Sequence, residues 1–176
     1  MLDPESLYKL CYGMSIVSAE KDGRFNGCIV NTVCQLTPEP PMIGVSINSQ
    51  CLTHDYIAHG RAFTVSILSQ ITSKSFIGRF GFRSGRDVDK FENVKYRLAR
   101  TGAPIVLDNT VAFLEAEVRK DIELGSHTLF IAEIVGCGTL DDYTEPMTYS
   151  YYRDIKHGRT PKTAATYVKT KETSQL

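Results

Sequence analysis

Residues able to do chemistry fall into four short stretches of this 176-residue chain. The first, Asn26-Gly27-Cys28-Ile29-Val30-Asn31-Thr32-Val33-Cys34-Gln35-Leu36, is built of strand formers, yet it carries two asparagines and a glycine where a core strand would be apolar. Backbone laid bare at Gly27, with the amides of Asn26 and Asn31, can meet the carbonyls and ring nitrogens of a flat heterocycle. An edge strand with its polar face in water explains this segment equally well. The second, Ser46-Ile47-Asn48-Ser49-Gln50-Cys51-Leu52-Thr53, runs from a strand end into a helix start and is dense in hydroxyls and backbone N–H groups. Donors at a helix start and the helix dipole both favour negative charge, which makes an anion seat; the plain alternative is a capped loop.

The third stretch, Arg79-Phe80-Gly81-Phe82-Arg83-Ser84-Gly85-Arg86, interleaves three arginines with two phenylalanines. Guanidinium groups clamp phosphate while the rings offer an apolar wall; Phe80 serves a plain core equally well. The fourth, Gly125-Ser126-His127-Thr128, sets a histidine on a turn just before a strand. A lone histidine is commonly structural, but at a strand mouth an imidazole can exchange a proton near neutral pH. Cys51 and His54 stand three apart near a helix start, where a thiolate is favoured. No orienting third group accompanies them, so the spacing alone does not make a nucleophile. No Gly-x-Gly-x-x-Gly follows a strand, and neither a Walker loop nor a Gly-x-Ser-x-Gly elbow is present.

The elements that must position these residues are mostly strands. Asp3 before Pro4 starts a short helix that Gly13 ends. Residues 14–19 and 25–34 read as two strands joined by a turn at Lys21-Asp22-Gly23. Pro38, Pro40 and Pro41 force an extended corner. In residues 42–48, Ile43, Val45 and Ile47 alternate with Gly44, Ser46 and Asn48, a half-buried strand with small polar groups on its open face. Thr53 is a candidate cap for a short helix through His59, with Gly60 as its stop. Residues 62–68 form another strand, 72–82 a helix, and 105–107, 111–120 and 128–137 the later strands. Tyr149, Tyr151 and Tyr152 follow in a loop. Many short strands with few helices predict a mainly β fold with short helices, a barrel rather than a doubly wound sheet.

Composition narrows the function. The 20 basic and 20 acidic residues cancel, giving a sequence pI near 6.9, whereas a nucleic-acid binder normally carries a basic excess. No apolar run is long enough to span a membrane, and the start of the chain lacks the layout of a secretory signal. Five cysteines, odd in number and far apart, suit reduced thiols in the cytoplasm, and no His/Cys cluster has metal spacing. Residues 153–176 have more basic than acidic residues and few large apolar ones, so they cannot support a core of their own and form an arm that drapes on something or is loose.

Taken in chain order, the four stretches resemble the flavin-reductase-like FMN-binding split barrels. Asn26-Gly27 and Asn31-Thr32 follow an N-terminal strand pair, and Pro40-Pro41-Met42-Ile43-Gly44-Val45-Ser46 is similar to the family's Pro-Pro strand. Residues 49–53 occupy its Ser/Thr loop, residues 60–68 its next strand, and Gly125-Ser126-His127 its Gly-Asp-His, with Ser126 in place of the usual Asp. The likeness covers about residues 5–150. Residues 82–91, Tyr151-Tyr152-Arg153 and residues 160–164 look like a narrower branch, which includes flavoredoxins and the flavin domain of high-molecular-weight rubredoxins. The paired Cys-x-x-Cys motifs of a rubredoxin are absent, so any iron partner is expected as a separate chain.

The resemblance implies an FMN-binding split-barrel domain over residues 1–152 followed by the basic arm, with FMN at a homodimer interface. It places Asn26, Gly27, Cys28, Ile29, Val30, Asn31 and Thr32 at the flavin ring, and Ser46, Ile47 and Asn48 along the ribityl chain and ring. Ser49, Gln50, Cys51 and Thr53 fall near the phosphate, Phe80 at the apolar wall, and Arg83, Ser84 and Lys90 near the phosphate or the partner. His127 shapes a nicotinamide pocket as the catalytic candidate. The implied activity is an NAD(P)H:flavin oxidoreductase, with NADH or NADPH as donor and free flavin or a small rubredoxin-like redox protein as acceptor. Other classes stay open: a flavoredoxin-type carrier without a nicotinamide site, a flavin or haem sensor, and a plain β-barrel interaction protein.

Overall fold

The computed structural model describes residues 4–167. Nine strands and two helices are arranged around one rolled sheet: β1 (Ser15–Lys21), β2 (Arg24–Val30), β3 (Val33–Pro38), β4 (Pro41–Asn48), α1 (Leu52–Gly60), β5 (Ala62–Leu68), α2 (Lys74–Gly81), β6 (Tyr96–Leu98), β7 (Pro104–Val106), β8 (Thr110–Glu123) and β9 (His127–Thr139). The seven-stranded sheet runs β2-β1-β5-β8-β9-β4-β3, antiparallel throughout, and β6 and β7 form a separate small ribbon.

Connectivity forces this sheet to close. Its two end strands, β2 and β3, follow one another in sequence, joined only by Asn31 and Thr32. Laid flat, seven strands would hold the end strands about 29 Å apart, but so short a link reaches at most about 11 Å. The edges must therefore swing together, and they meet through the chain rather than through a ladder of hydrogen bonds. The register shifts in β8 opposite β9, between Glu115 and Ala116 and between Val118 and Lys120, supply the local bends. Mainly antiparallel β structure with few short helices, rolled in this way, is a split barrel.

Each face of β1 is buried. Val17 and Ala19 join Val30, Ile43, Val45, Ile47, Phe63, Val65 and Phe130 inside the barrel, where Tyr56 and Ile57 of α1 close one end. Ile16 points the other way, into a second cluster with Ile77 and Phe80 of α2, Phe91, Val106, Met147, Tyr149 and Tyr152. The alternation expected for residues 42–48 holds, with Ile43, Val45 and Ile47 all nearly inaccessible.

Four sequence expectations change. The strand expected over 25–34 breaks at Asn31-Thr32, because its second half leaves to pair with β4 at the far end of the sheet. Thr53 does not cap α1: Cys51 is the N-cap and makes no side-chain cap bond, while Thr53 is buried in the first turn. The helix ends through Arg61, in the left-handed region at φ 53 with its N–H on Ile57 O, rather than through Gly60. Tyr149 and Tyr152 are core residues, and Tyr151–Ile155 forms one wide helical turn instead of a loop.

Candidate functional site

One cavity opens at the seam where β2 and β3 part, bounded by the ends of β2 and β4, the start of α1, residues 80–90 and the arm. The seam is the place where backbone and polar side chains of end strands are not consumed by a ladder, so a polar cavity there follows from the topology. Asn31, Asn48 and Thr53 come from three different elements and all line it.

The wall formed by α1 and residues 80–90 is cationic. Lys90 is only 5% exposed and donates from Nζ to Gly27 O at 2.9 Å and Phe80 O at 3.1 Å. Burial holds its pKa below the usual lysine value, with the neighbouring Cys28 and Cys51 opposing that shift. Arg86 bridges the loop before α1 to the helix, donating to Gln50 O at 3.1 Å and to Asp55 Oδ2 at 2.9 Å. Arg83 lines the same wall with no protein partner among the described residues. Ser84 accepts from Arg86 N through Oγ and shapes the turn. The His54 N–H donates to Cys51 O at 3.0 Å, and because the Cys51 side chain supplies no capping bond, the N–H groups of Leu52 and Thr53 at the start of α1 stay available to an anion.

The opposite wall is neutral. The β4–β9 register sets Asn48 directly against His127, and Ser46 against Leu129 on the same face. Ser126 Oγ lies 2.9 Å from His127 Nδ1 and fixes the ring, leaving Nε2 buried with no hydrogen-bond partner among the described residues. Asn48 Oδ1 accepts from Gln50 N at 2.9 Å, and Thr32 Oγ1 donates to Ser46 O at 3.1 Å, so the strand mouth is held stiffly.

Most residues expected at the site reach it. Asn26, Cys28, Ile29, Val30, Asn31 and Thr32 line the cavity from β2 and the crossing; Ser46, Ile47 and Asn48 line it from β4. Gln50, Cys51 and Thr53 do so from the start of α1, and Phe80, Arg83, Ser84 and Lys90 from the cationic wall, with His127 opposite. Two do not. Gly27 turns its Cα toward Ser18, Ile16 and Phe80 and contributes only its carbonyl, to Lys90. Ser49 is exposed and bonds Ser126 O from both N and Oγ, which ties the two strand mouths together.

Others line the cavity in a different sense from that expected. The Asn26 amide donates to Thr53 Oγ1 at 3.0 Å, so it braces β2 against α1 rather than offering its N–H to a ligand. A Cβ on Gly85 would fall inside that same amide, so only glycine lets the 82–87 turn lie on Asn26. Asn31 Nδ2 donates to Thr166 Oγ1 at 2.6 Å. Phe80 belongs to the second core and shows the cavity only an edge.

Arg86 belongs to the arginine stretch expected to clamp phosphate but was not placed at the site by its sequence, and neither was the arm. Pro161, Thr163, Ala164 and Ala165 form part of the cavity wall. The described part of the arm is held by Tyr152 OH on Arg159 O, by a bond between Tyr149 OH and Thr160, and by close packing of Gly158 on the Tyr152 ring. Composition carries no signal for such docking.

Residues 7–156 match the family model described as flavin reductase like domain. The chain is 45% identical over 166 residues to the high molecular weight rubredoxin of Moorella thermoacetica, covering 94% of this chain and 72% of that protein. It is 44% identical over 170 residues to a ferric-chelate reductase (NAD(P)H) of Archaeoglobus fulgidus, covering 97% of this chain and 100% of the other. Among solved structures, an FMN-binding protein from Thermus thermophilus with bound p-hydroxybenzaldehyde superimposes with a TM-score of 0.69 at 27% identity, over 77% of this chain and 75% of that one.

Proposed function

Because this chain belongs to the flavin reductase-like family, we propose that its seam cavity binds FMN and that the protein is an NAD(P)H-dependent flavin oxidoreductase. The observation that carries this reading is the polarity of the cavity. One wall gathers Lys90, Arg83, Arg86 and the open start of α1, and the facing wall is neutral and offers the unpartnered His127 Nε2. A phosphate at the first wall and a neutral heterocycle near the second satisfy both. The orphaned buried nitrogen fits a ring carbonyl or an amide as its missing partner.

When bound, FMN supplies the redox chemistry, accepting hydride from NADH or NADPH and releasing electrons to free flavin or to a small redox protein. The chain's own residues bind and orient. Lys90, Arg83 and the first N–H groups of α1 hold the phosphate, while Asn48, Ser46 and Thr32 fix the strand mouth. His127, locked by Ser126, presents Nε2 to the reacting side and orders the nicotinamide amide. No dedicated nucleotide domain is needed for a donor that stacks on a bound ring.

A flavoredoxin-type carrier without its own nicotinamide site is the second reading, and the arm favours it. Pro161, Ala164 and Ala165 stand over the cavity and are tethered through Thr166 to Asn31, which narrows the room for a stacked donor. The homodimer and the cytoplasmic setting belong to the proposal as well. The exposed end strand β3, with Leu36 outward, supports the first, and the unpaired exposed Cys11, Cys34 and Cys137 support the second. Among the described residues no helix is long and apolar enough to cross a membrane.

Anaerobic mixing of the FMN-loaded protein with NADH, and separately with NADPH, tests the reductase reading. The flavin absorbance band is expected to bleach with at least one donor. No bleaching with either overturns it and leaves the carrier, which an added rubredoxin-like protein would identify by faster reoxidation of chemically reduced protein.

A further inference from the structure

Cys28 and Cys51 both line the cavity, and nothing in the proposed flavin chemistry uses their sulfur. Cys28 sits in the middle of β2 and is 8% exposed; Cys51 is the N-cap of α1 and is partly open to the cavity. Cys51 packs against the core cluster that contains Cys28, and two residues along each element the Asn26 amide donates to Thr53 Oγ1 at 3.0 Å, clamping β2 to the start of α1; each thiol shifts the pKa of the other. Lys90 and Arg86 bring positive charge to the pair from residues 82–90, and Asp55 of α1 is the acid beside it. His54, which spacing suggested as a partner for Cys51, points elsewhere: its Nε2 meets Thr128 Oγ1 at 2.9 Å. The true partner is a thiol from another element.

We propose that Cys51 and Cys28 form a peroxide-reactive thiol pair, Cys51 attacking and Cys28 resolving. The Cys51 thiolate attacks one oxygen of hydrogen peroxide; the O–O bond breaks, the other oxygen leaves with a proton as water, and Cys51 becomes a sulfenic acid. The Cys28 thiol, from the strand that α1 packs on, then attacks Cys51 sulfur; the S–S bond forms, the S–O bond breaks, and the hydroxyl leaves with the Cys28 proton as a second water. In sum two thiols and one peroxide give one disulfide and two waters. Bonding requires the sulfurs to close to about 2.05 Å by side-chain rotation. The helix start, Lys90, Arg86 and above all the Cys28 S–H all favour the Cys51 thiolate, and its pKa falls to about 7, while Cys28 is held well above the usual thiol range. The product joins β2 to the first turn of α1 beneath the cavity. None of this requires flavin to be bound.

The chain carries its own controls, since Cys11, Cys34 and Cys137 are exposed and unpaired. Purified full-length protein, fully reduced, is treated at pH 7 with one equivalent of hydrogen peroxide, alkylated, digested and read by peptide mass spectrometry. The expected product is a Cys28–Cys51 cross-linked peptide, lighter by two hydrogens, with the three exposed cysteines still alkylated. In Cys28→Ser, a sulfenic-acid trap is expected to label Cys51 alone. Alkylation of wild-type Cys51 should be half-maximal near pH 7. Cys51 left reduced while exposed cysteines oxidise, or five thiols alkylating with one common pH profile, overturns the proposal without reliance on any variant.

Discussion

The two walls of the seam cavity are built on opposite plans. On the cationic wall two of the three charges are already engaged, Lys90 by two carbonyls and Arg86 by Gln50 and Asp55, and Arg83 is left for a ligand. On the neutral wall the groups nearest the opening are stiffened from behind by Ser126 and Gln50, but a donor or acceptor at His127 Nε2 is left over. The difference separates two tasks. A phosphate needs fixed positive potential, which pre-engaged cations supply without reorganising. A ring that changes its electron count needs a nearby group whose hydrogen bonding can respond to it. One wall holds; the other responds.

Mutations can break that division or sharpen it. The largest effect is expected at Lys90, whose removal strips two carbonyls of their donor and the wall of its buried cation. Lys90→Met should weaken FMN binding by about 100-fold, the scale of losing a buried charged hydrogen-bonding group, read by flavin fluorescence quenching with circular dichroism as the folding control. An unchanged affinity would move the phosphate elsewhere. Gly85→Ala comes next. Its Cβ collides with the buried Asn26 amide and breaks the brace to Thr53, and denaturant unfolding should show a loss of about 1–3 kcal/mol.

His127→Ala probes the responsive wall. The rate of NADH-driven flavin reduction should fall about tenfold, the worth of one strong hydrogen bond, while FMN affinity stays as it was. A parallel loss of affinity would mean that the two walls are not separate. The smallest effect is expected from Asn31→Ala, which releases the arm from the seam. About 1 kcal/mol of local stability is at stake, seen as faster proteolytic cutting after residue 156 with little change in the global unfolding midpoint.

Local patterns made much of this molecule legible. The Ile43, Val45 and Ile47 alternation named the inward face of β4, and with it the outward Ser46 and Asn48. The polar interruption at Asn26 and Asn31 marked residues that line the seam cavity. What the sequence hid was long-range. Strand formers flank Asn31-Thr32 on both sides, so nothing local shows that the chain there leaves one end of a sheet for the other. Thr53 has the right chemistry for a cap, but the buried Asn26 amide claims its hydroxyl. The meeting of Cys28 with Cys51 depends on α1 crossing β2, and the docking of the arm on contacts of Tyr149 and Tyr152 with residues far down the chain. Spacing cannot report either.

Every role given to the two walls requires the cationic one to seat the phosphate of a flavin whose ring faces the neutral one. Titrating the flavin-free protein with FMN and with riboflavin, which differ only by the phosphate, tests it most directly. FMN is expected to bind about 100-fold more tightly than riboflavin, as a charge-assisted phosphate site requires, and Lys90→Met should erase most of that gap. Equal affinities for the two, or no binding of either, would contradict it.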